Sequence, residues 1–159
     1  MKPTKPAHSE LSLLWHVFAM GQRVKVLLGP AMAGSPLTPD EYAVYSVLFD
    51  DGPTPPTGLA RRVGMPPTTM SHYVRAMLER GHAERIRSPQ DGRSFSLALT
   101  DAGLVVHRQA GAHFNEANDR FREALEVDEA FLARALGEIG RAADAAAAHM
   151  AGQQARSAG

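Results

Sequence analysis

The sequence predicts a mainly α-helical chain that carries one small β wing. Three observations lead there. Apolar residues recur at helical spacing over most of the 159 residues. Two short helices read around GLARRVG, and the stretch SPQDGRSFSLALT, residues 88–100, sets an Asp-Gly turn before the alternating Phe95, Leu97 and Leu99.

The first helix is expected from near Ser9 to Leu28, with Leu11, Leu14, Phe18, Gly21 and Leu28 on one side and Leu13, Val17, Met20, Val24 and Leu27 beside them. Its apolar face is too broad for one neighbour. A second helix begins where Thr38 can cap, Pro39 fits the first turn and Glu41 completes a capping box; Val44, Val47 and Leu48 follow at core spacing. TGLARRV is a short third helix with Leu59, Ala60 and Val63 inward, Arg61 and Arg62 outward, and Gly64 as its C-terminal cap. In MPPTTMSHYVRAMLERG, Met70, Val74, Met77 and Leu78 share the core side, while Thr68, Thr69, Ser71, His72 and Arg75 fall mainly on the other. These two helices read as a helix-turn-helix.

HAERIR and SFSLALT are the strands of the wing, joined through Asp91 and Gly92. Thr100 caps a long helix through Ala102, Val105, Val106, Ala110 and Phe114 toward Leu125. After a break near Val127 and Asp128, a last helix spans Ala130 to Met150, anchored by Phe131, Leu132, Leu136 and Ile139. The expected organisation is an N-terminal tail and first dimerisation helix (1–36), a winged helix-turn-helix (37–100), C-terminal dimerisation helices (101–150) and a disordered tail (151–159). A single wing domain cannot cover the apolar faces of both terminal regions, which points to a homodimer, although the terminal helices of a monomer could instead fold on each other.

The formal net charge is zero, but the charge is segregated. Between Arg61 and Arg93 seven arginines face three acids, a local +4, whereas residues 115–144 hold four arginines and eight acids, a local −4. Such a field orients a protein on a polyanion, or is simply an uneven solvated surface. The run Leu11–Leu28 is interrupted by His16, Gln22, Arg23 and Lys25, so no membrane span is expected, and MKPTKPAHSE has no apolar signal core, which points to the cytoplasm. The absence of cysteine excludes disulfides and thiol switches.

LTPDEYAVYSVL, GLARRVGMPPTTMSHYVRAMLERGHAER and SPQDGRSFSLALTDAG, in this order and spacing, resemble the multiple-antibiotic-resistance regulator (MarR) family of bacterial transcription factors. The resemblance covers roughly Leu37 to Gly103. It implies a homodimer with interlocking first and last helices that binds pseudo-palindromic double-stranded DNA, often as a repressor released by a small aromatic or phenolic ligand. It places the recognition helix at Pro67 to Arg80, making Thr68, Thr69, Ser71, His72 and Arg75 the DNA-reading set; the alternative for the hydroxyls is capping or solvent exposure. His72 stands where Arg or Lys is usual, and Pro66-Pro67 replaces a polar cap. Arg93 matches the family's wing arginine, suited to a narrow minor groove; its alternative is an ion pair with Asp91 or Asp101. Arg85 and Arg87 suit phosphate contacts or ion pairs at the dimer side.

The same resemblance puts Trp15, His16, Phe18, Tyr45, Phe49, His107 and Phe114 around a possible ligand cleft, with Trp15 and Phe18 equally suited to core or dimer contacts. Seven scattered histidines, none three or four residues apart, give no metal site, and no cofactor is implied. No nucleophile elbow, HExxH or phosphate loop argues for an enzyme, and Asp50-Asp51 beside Gly-Pro reads as a solvated helix end. Two alternatives to a repressor remain: a winged-helix module for protein contacts, and an activator without an effector.

Overall fold

Helix-start and helix-stop chemistry divides the chain into the elements that follow. The computed structural model describes residues 12–87 and 95–157. In chain order these are α1 (Leu13–Ala31), α2 (Pro39–Asp51), α3 (Pro56–Val63), α4 (Pro67–Glu79), β1 (Ala83–Arg87), β2 (Phe95–Leu99), α5 (Asp101–Glu123) and α6 (Glu129–Ser157). Residues to Ala117 group as one compact unit and those from Asn118 as another.

α1 starts at Ser12, whose hydroxyl accepts from the Trp15 N–H at 3.3 Å; the expected start at Ser9 lies outside the described residues. The helix runs past Leu28 because Pro30, close to its end, removes only one late backbone donor. The capping box of α2 is complete. Thr38 Oγ1 accepts from the Glu41 N–H at 3.2 Å, and Glu41 Oε2 accepts from the Thr38 N–H at 2.9 Å. α3 ends at Gly64, whose φ of 74° is left-handed and favours glycine.

No side chain caps α4. Proline geometry does the work instead: Pro67 occupies the first turn, where a missing N–H costs nothing, and the Pro66 carbonyl accepts from the Met70 N–H at 3.0 Å. The wing strands pair antiparallel, Ala83 opposite Leu99 and Arg87 opposite Phe95. A contact not anticipated from sequence extends them. Thr54, between α2 and α3, exchanges both backbone hydrogen bonds with Leu97 at 2.9 Å, tying that connection to the wing.

The core of the first unit is built from Val44, Tyr45 and Leu48 of α2, Leu59 and Ala60 of α3, Met70, Val74 and Met77 of α4, and Leu97 of β2. Alternation puts Leu97 at full burial with Phe95 and Leu99 partly buried on the same side. Thr100 caps α5 by accepting from the Gly103 N–H at 3.2 Å. The face of α5 that enters the core is Gly103, His107, Ala110 and Gly111 rather than Val105, which is exposed.

In the second unit Asp128 caps α6, its Oδ1 accepting from the Phe131 N–H at 2.7 Å. The expected tail at 151–159 is corrected here, because α6 continues through Ser157. Side chains extend the helical pattern there: Arg156 Nε donates to the Gly152 carbonyl at 3.2 Å and Ser157 Oγ to the Gln153 carbonyl at 3.0 Å. Among the described residues no helix is long and apolar enough to cross a membrane.

Candidate nucleic-acid interface and ligand cavity

The two faces of α4 separate core from solvent at helical spacing. Met70, Val74 and Met77 are buried, whereas Thr68, Ser71, His72 and Arg75 are exposed and Thr69 is half-buried. Ser71 Oγ donates to the Pro67 carbonyl at 2.9 Å, which leaves its lone pairs as acceptors. With no side-chain cap, the first-turn N–H groups of Thr68 and Thr69 stand at the positive end of the helix dipole. The helix therefore presents backbone donors at its start, hydroxyls and an imidazole along one face, and a guanidinium one turn further on.

The other end of α4 is anchored to α2. Arg80 Nη1 donates to Glu41 Oε1 at 2.7 Å, and Tyr45, buried beneath, shares a 2.8 Å hydrogen bond between its hydroxyl and His82 Nδ1. Burial alone would raise the pKa of Glu41, but hydrogen bonds from the Thr38 N–H, Arg80 and the Thr38 hydroxyl outweigh it and leave the carboxyl below its usual range. Burial pushes the Tyr45 phenol up. Arg80 thus belongs to the frame that holds the helix, and Arg75 to its exposed face.

On the wing, the Arg85 guanidinium lies 4.7 Å from the centroid of the Phe95 ring, a stacked position that sequence did not foresee. Arg87 is exposed. Arg93 and the Asp91-Gly92 turn lie outside the described residues.

A second feature opens on the opposite face of α2. Residues 39, 42, 43, 46, 49 and 50 share one side of the helix, and residues 41, 44, 45 and 48 the other. The first set, with Leu28, His107 and Phe114, lines a cavity of about 510 Å³. Its aromatic wall is continuous: Phe49 packs on His107 (4.7 Å between centroids), His107 stacks on Tyr42 (5.0 Å, 11° between planes), and Tyr42 meets Phe114 at 4.9 Å. Ser46 Oγ and His107 Nε2 are hydrogen-bonded at 3.1 Å, while His107 Nδ1 is buried with no partner among the described residues. Burial lowers the pKa of His107; Asp50 opposes this and Arg108 adds to it.

Of the residues expected around a ligand, the structure brings together Phe49, His107 and Phe114. Tyr45 is not among the lining residues: it faces the core and bonds His82. Trp15, His16 and Phe18 are exposed on α1 and do not line the cavity either. Sequence reasoning missed Tyr42, Ser46 and Asp50, although their spacing from Phe49 places them on its side of α2. Among the described residues no group of three His, Asp or Glu side chains is placed to hold a metal ion.

The MarR family model matches residues 37–95, the stretch that holds α2, α3, α4 and β1. This stretch is a MarR-family domain. Solved structures share the fold. The PcaV transcriptional regulator of Streptomyces coelicolor, in complex with its natural ligand, is 29% identical with a TM-score of 0.64, covering 87% of this chain and 99% of that one. The MOSR regulator of M. tuberculosis, in complex with DNA, is 18% identical with a TM-score of 0.71, covering 86% and 98%. NadR, in complex with 4-hydroxyphenylacetate, is 18% identical with a TM-score of 0.73, covering 87% and 97%. Among curated proteins none matches the chain.

Proposed function

We propose that this MarR-family chain is a sequence-specific double-stranded DNA-binding regulator, acting in the cytoplasm as a homodimer on a pseudo-palindrome and repressing until a small aromatic or phenolic molecule enters the α2–α5 cavity. The observation that carries the DNA reading is the exposed polar face of α4: Thr68, Ser71, His72 and Arg75 point to solvent from a helix whose other face is locked in the core. A helix of this kind fits the major groove, where hydroxyls reach bases or phosphates and arginine reads guanine. Thr69 and the wing residue Arg93 complete the proposed contact set, Arg93 in the minor groove. The MOSR–DNA complex, on the same fold, supports a DNA partner.

The proposed organisation assigns 37–100 to DNA binding and 1–36 with 101–150 to dimerisation. Leu14, Phe18 and Val26 of α1 are 74%, 65% and 75% exposed, so although Leu28 meets α2 at the cavity, these apolar side chains are left uncovered among the described residues. Phe131, Leu136 and Met150 of α6 are likewise exposed. A second copy covering these faces accounts for both. Ligand-controlled release draws on the aromatic cavity and on the ligand-bound PcaV structure.

Selection of bound sequences from a random DNA pool by the purified protein tests the reading, repeated with Arg75→Ala and Arg93→Ala at two salt concentrations. One inverted repeat, bound more weakly by both variants, is expected. No enriched sequence at low salt would overturn it in favour of a protein-contact module.

A further inference from the structure

A cavity of about 430 Å³ lies between the exposed face of α4 and the wing. Arg75 of α4 and Arg85 of β1 line it from two different elements. Phe95 of β2 belongs to the same wall, and its ring carries the Arg85 guanidinium 4.7 Å from the centroid. Strand register explains that pairing, because Phe95 stands opposite Arg87 and so diagonal to Arg85 on one face of the hairpin, with Glu84 and Ile86 on the other. A stacked guanidinium uses its face on the ring, while its N–H donors lie in its plane and stay available at the edge. Arg62 and Arg80, by contrast, are committed to Asp51 and Glu41. Among the described lining residues one is acidic, Glu79, one turn after Arg75; two guanidiniums against one carboxylate, all three on exposed residues, leave the charge there positive. Ser71 lines the cavity too, but its hydroxyl proton goes to the Pro67 carbonyl, so it offers an anion no donor.

We infer that this cavity is the seat of one DNA backbone phosphate, held jointly by Arg75 and Arg85, with Phe95 as the residue that positions Arg85. The inference rests on the DNA reading above and adds to it which side chains take the backbone. In that reading α4 occupies a major groove and the wing the minor groove beside it. The sugar-phosphate strand that separates two neighbouring grooves then crosses the space between α4 and the wing, and that space is this cavity. A phosphodiester carries one negative charge shared by two free oxygens, which suits donors arriving from two sides. Glu79 competes with it for the same guanidiniums and is outnumbered by them. Arg75 thereby belongs with the sequence-independent contacts, and base reading falls to the hydroxyls and the imidazole that precede it on α4.

Phosphate ethylation interference with the full chain, on the duplex recovered by the selection experiment above, tests this. Ethylation removes the charge of single phosphates and reveals those that binding requires. One required phosphate in each half-site is expected to become indifferent in Arg75→Ala, and the same phosphate in Arg85→Ala. Each variant should bind about tenfold more weakly, the scale of one lost charged hydrogen bond. The salt slope should fall by about 0.9 for each seat lost, with the selected sequence unchanged. Phe95→Leu keeps an apolar side chain without a ring face and is expected to weaken binding about two- to fivefold, whereas Phe95→Tyr retains it, both read well below their thermal midpoints. Relaxed preference at one base pair in Arg75→Ala, different phosphates released by the two arginine variants, or an unchanged salt slope in both would overturn the shared seat while leaving DNA recognition in place. Full binding by Phe95→Leu would overturn the positioning role. No enriched duplex at low salt would overturn the DNA reading and the seat with it.

Discussion

A side-chain carbon added to Gly103 would lie 2.0 Å from the carbonyl oxygen of His82. The first turn of α5 is therefore packed directly on the backbone that leads from α4 into the wing. The junction is also tied by hydrogen bonds, with the Thr100 N–H donating to the His82 carbonyl at 3.1 Å and Thr100 Oγ1 to the Gly81 carbonyl at 2.7 Å. Alanine is a better helix former than glycine by roughly 1 kcal/mol, so Gly103→Ala would stabilise an unhindered helix. Here the clash is with backbone and cannot be relieved by a rotamer change. Gly103→Ala is expected to destabilise by about 1–3 kcal/mol, the range for overpacking, read from urea unfolding midpoints. A neutral or stabilising result would show that α5 can lift away from the wing at little cost.

Thr38→Ala removes the side-chain half of the α2 capping box and is expected to lower stability by about 1 kcal/mol. Glu41 adds a pH signature. Its carboxyl titrates below the unfolded value near 4.5, so the native state holds the proton less tightly than the unfolded chain. The stability it contributes is present above that value and lost as pH falls through the lower, folded one. In Glu41→Gln this part of the acid dependence should disappear, which a series of unfolding curves from pH 6 to pH 3 would measure.

His107 acts in the same direction at higher pH. Its folded pKa lies below the ordinary value of 6.5, so just under that pH the unfolded state takes up a proton that the native state refuses. Stability should fall on acidification through the window from 6.5 down to the folded value, and be constant above it as far as this group is concerned. His107→Gln retains a hydrogen-bonding side chain without a titrating ring. Its unfolding midpoint should depend less on pH between 7.5 and 5.5, and an unchanged slope would remove His107 as the cause.

Arg75 and Arg80 of α4 and its C-cap should behave differently. Arg75 is exposed, so Arg75→Ala is expected to leave the thermal midpoint nearly unchanged while weakening binding to the proposed DNA site. A lost guanine contact would weaken it by about 1–3 kcal/mol and relax one base position. A lost phosphate contact would lower the salt slope by about 0.9 and leave sequence preference intact. Arg80→Ala breaks the 2.7 Å bond to Glu41 and is expected to lower stability measurably, since Glu41 is the less exposed partner. Binding and melting curves on the two variants separate reading from framing.

Much of the helix-turn-helix and wing was legible in residue spacing. Thr38 with Glu41, Pro67 before Met70, and Leu97 flanked by Phe95 and Leu99 are local patterns, because caps, first-turn prolines and strand alternation depend on neighbours within a few residues. The choice between Tyr42 and Tyr45 was not legible in the same way. Both are aromatic on one helix, and only the packing of α2 between the α4–β1 core and α5 sends Tyr45 to His82 and Tyr42 to the cavity. Asp50 and Asp51 divide similarly: Asp51 pairs with Arg62 at 3.1 Å as a surface helix end would, while Asp50 lines the cavity.

By itself, then, the sequence determined the capped starts of α2 and α5, the wing strands, the inward faces of α2, α3 and α4, and the family resemblance, all through short-range geometry and the segregation of apolar from polar residues. Tertiary structure alone decided which aromatic residues share a cavity, why Gly103 must lack a side chain, and that Glu41 grips Arg80 from 39 positions away. These are contacts between segments distant in the chain, and their distances are set by how the helices pack, which no local pattern of residues encodes.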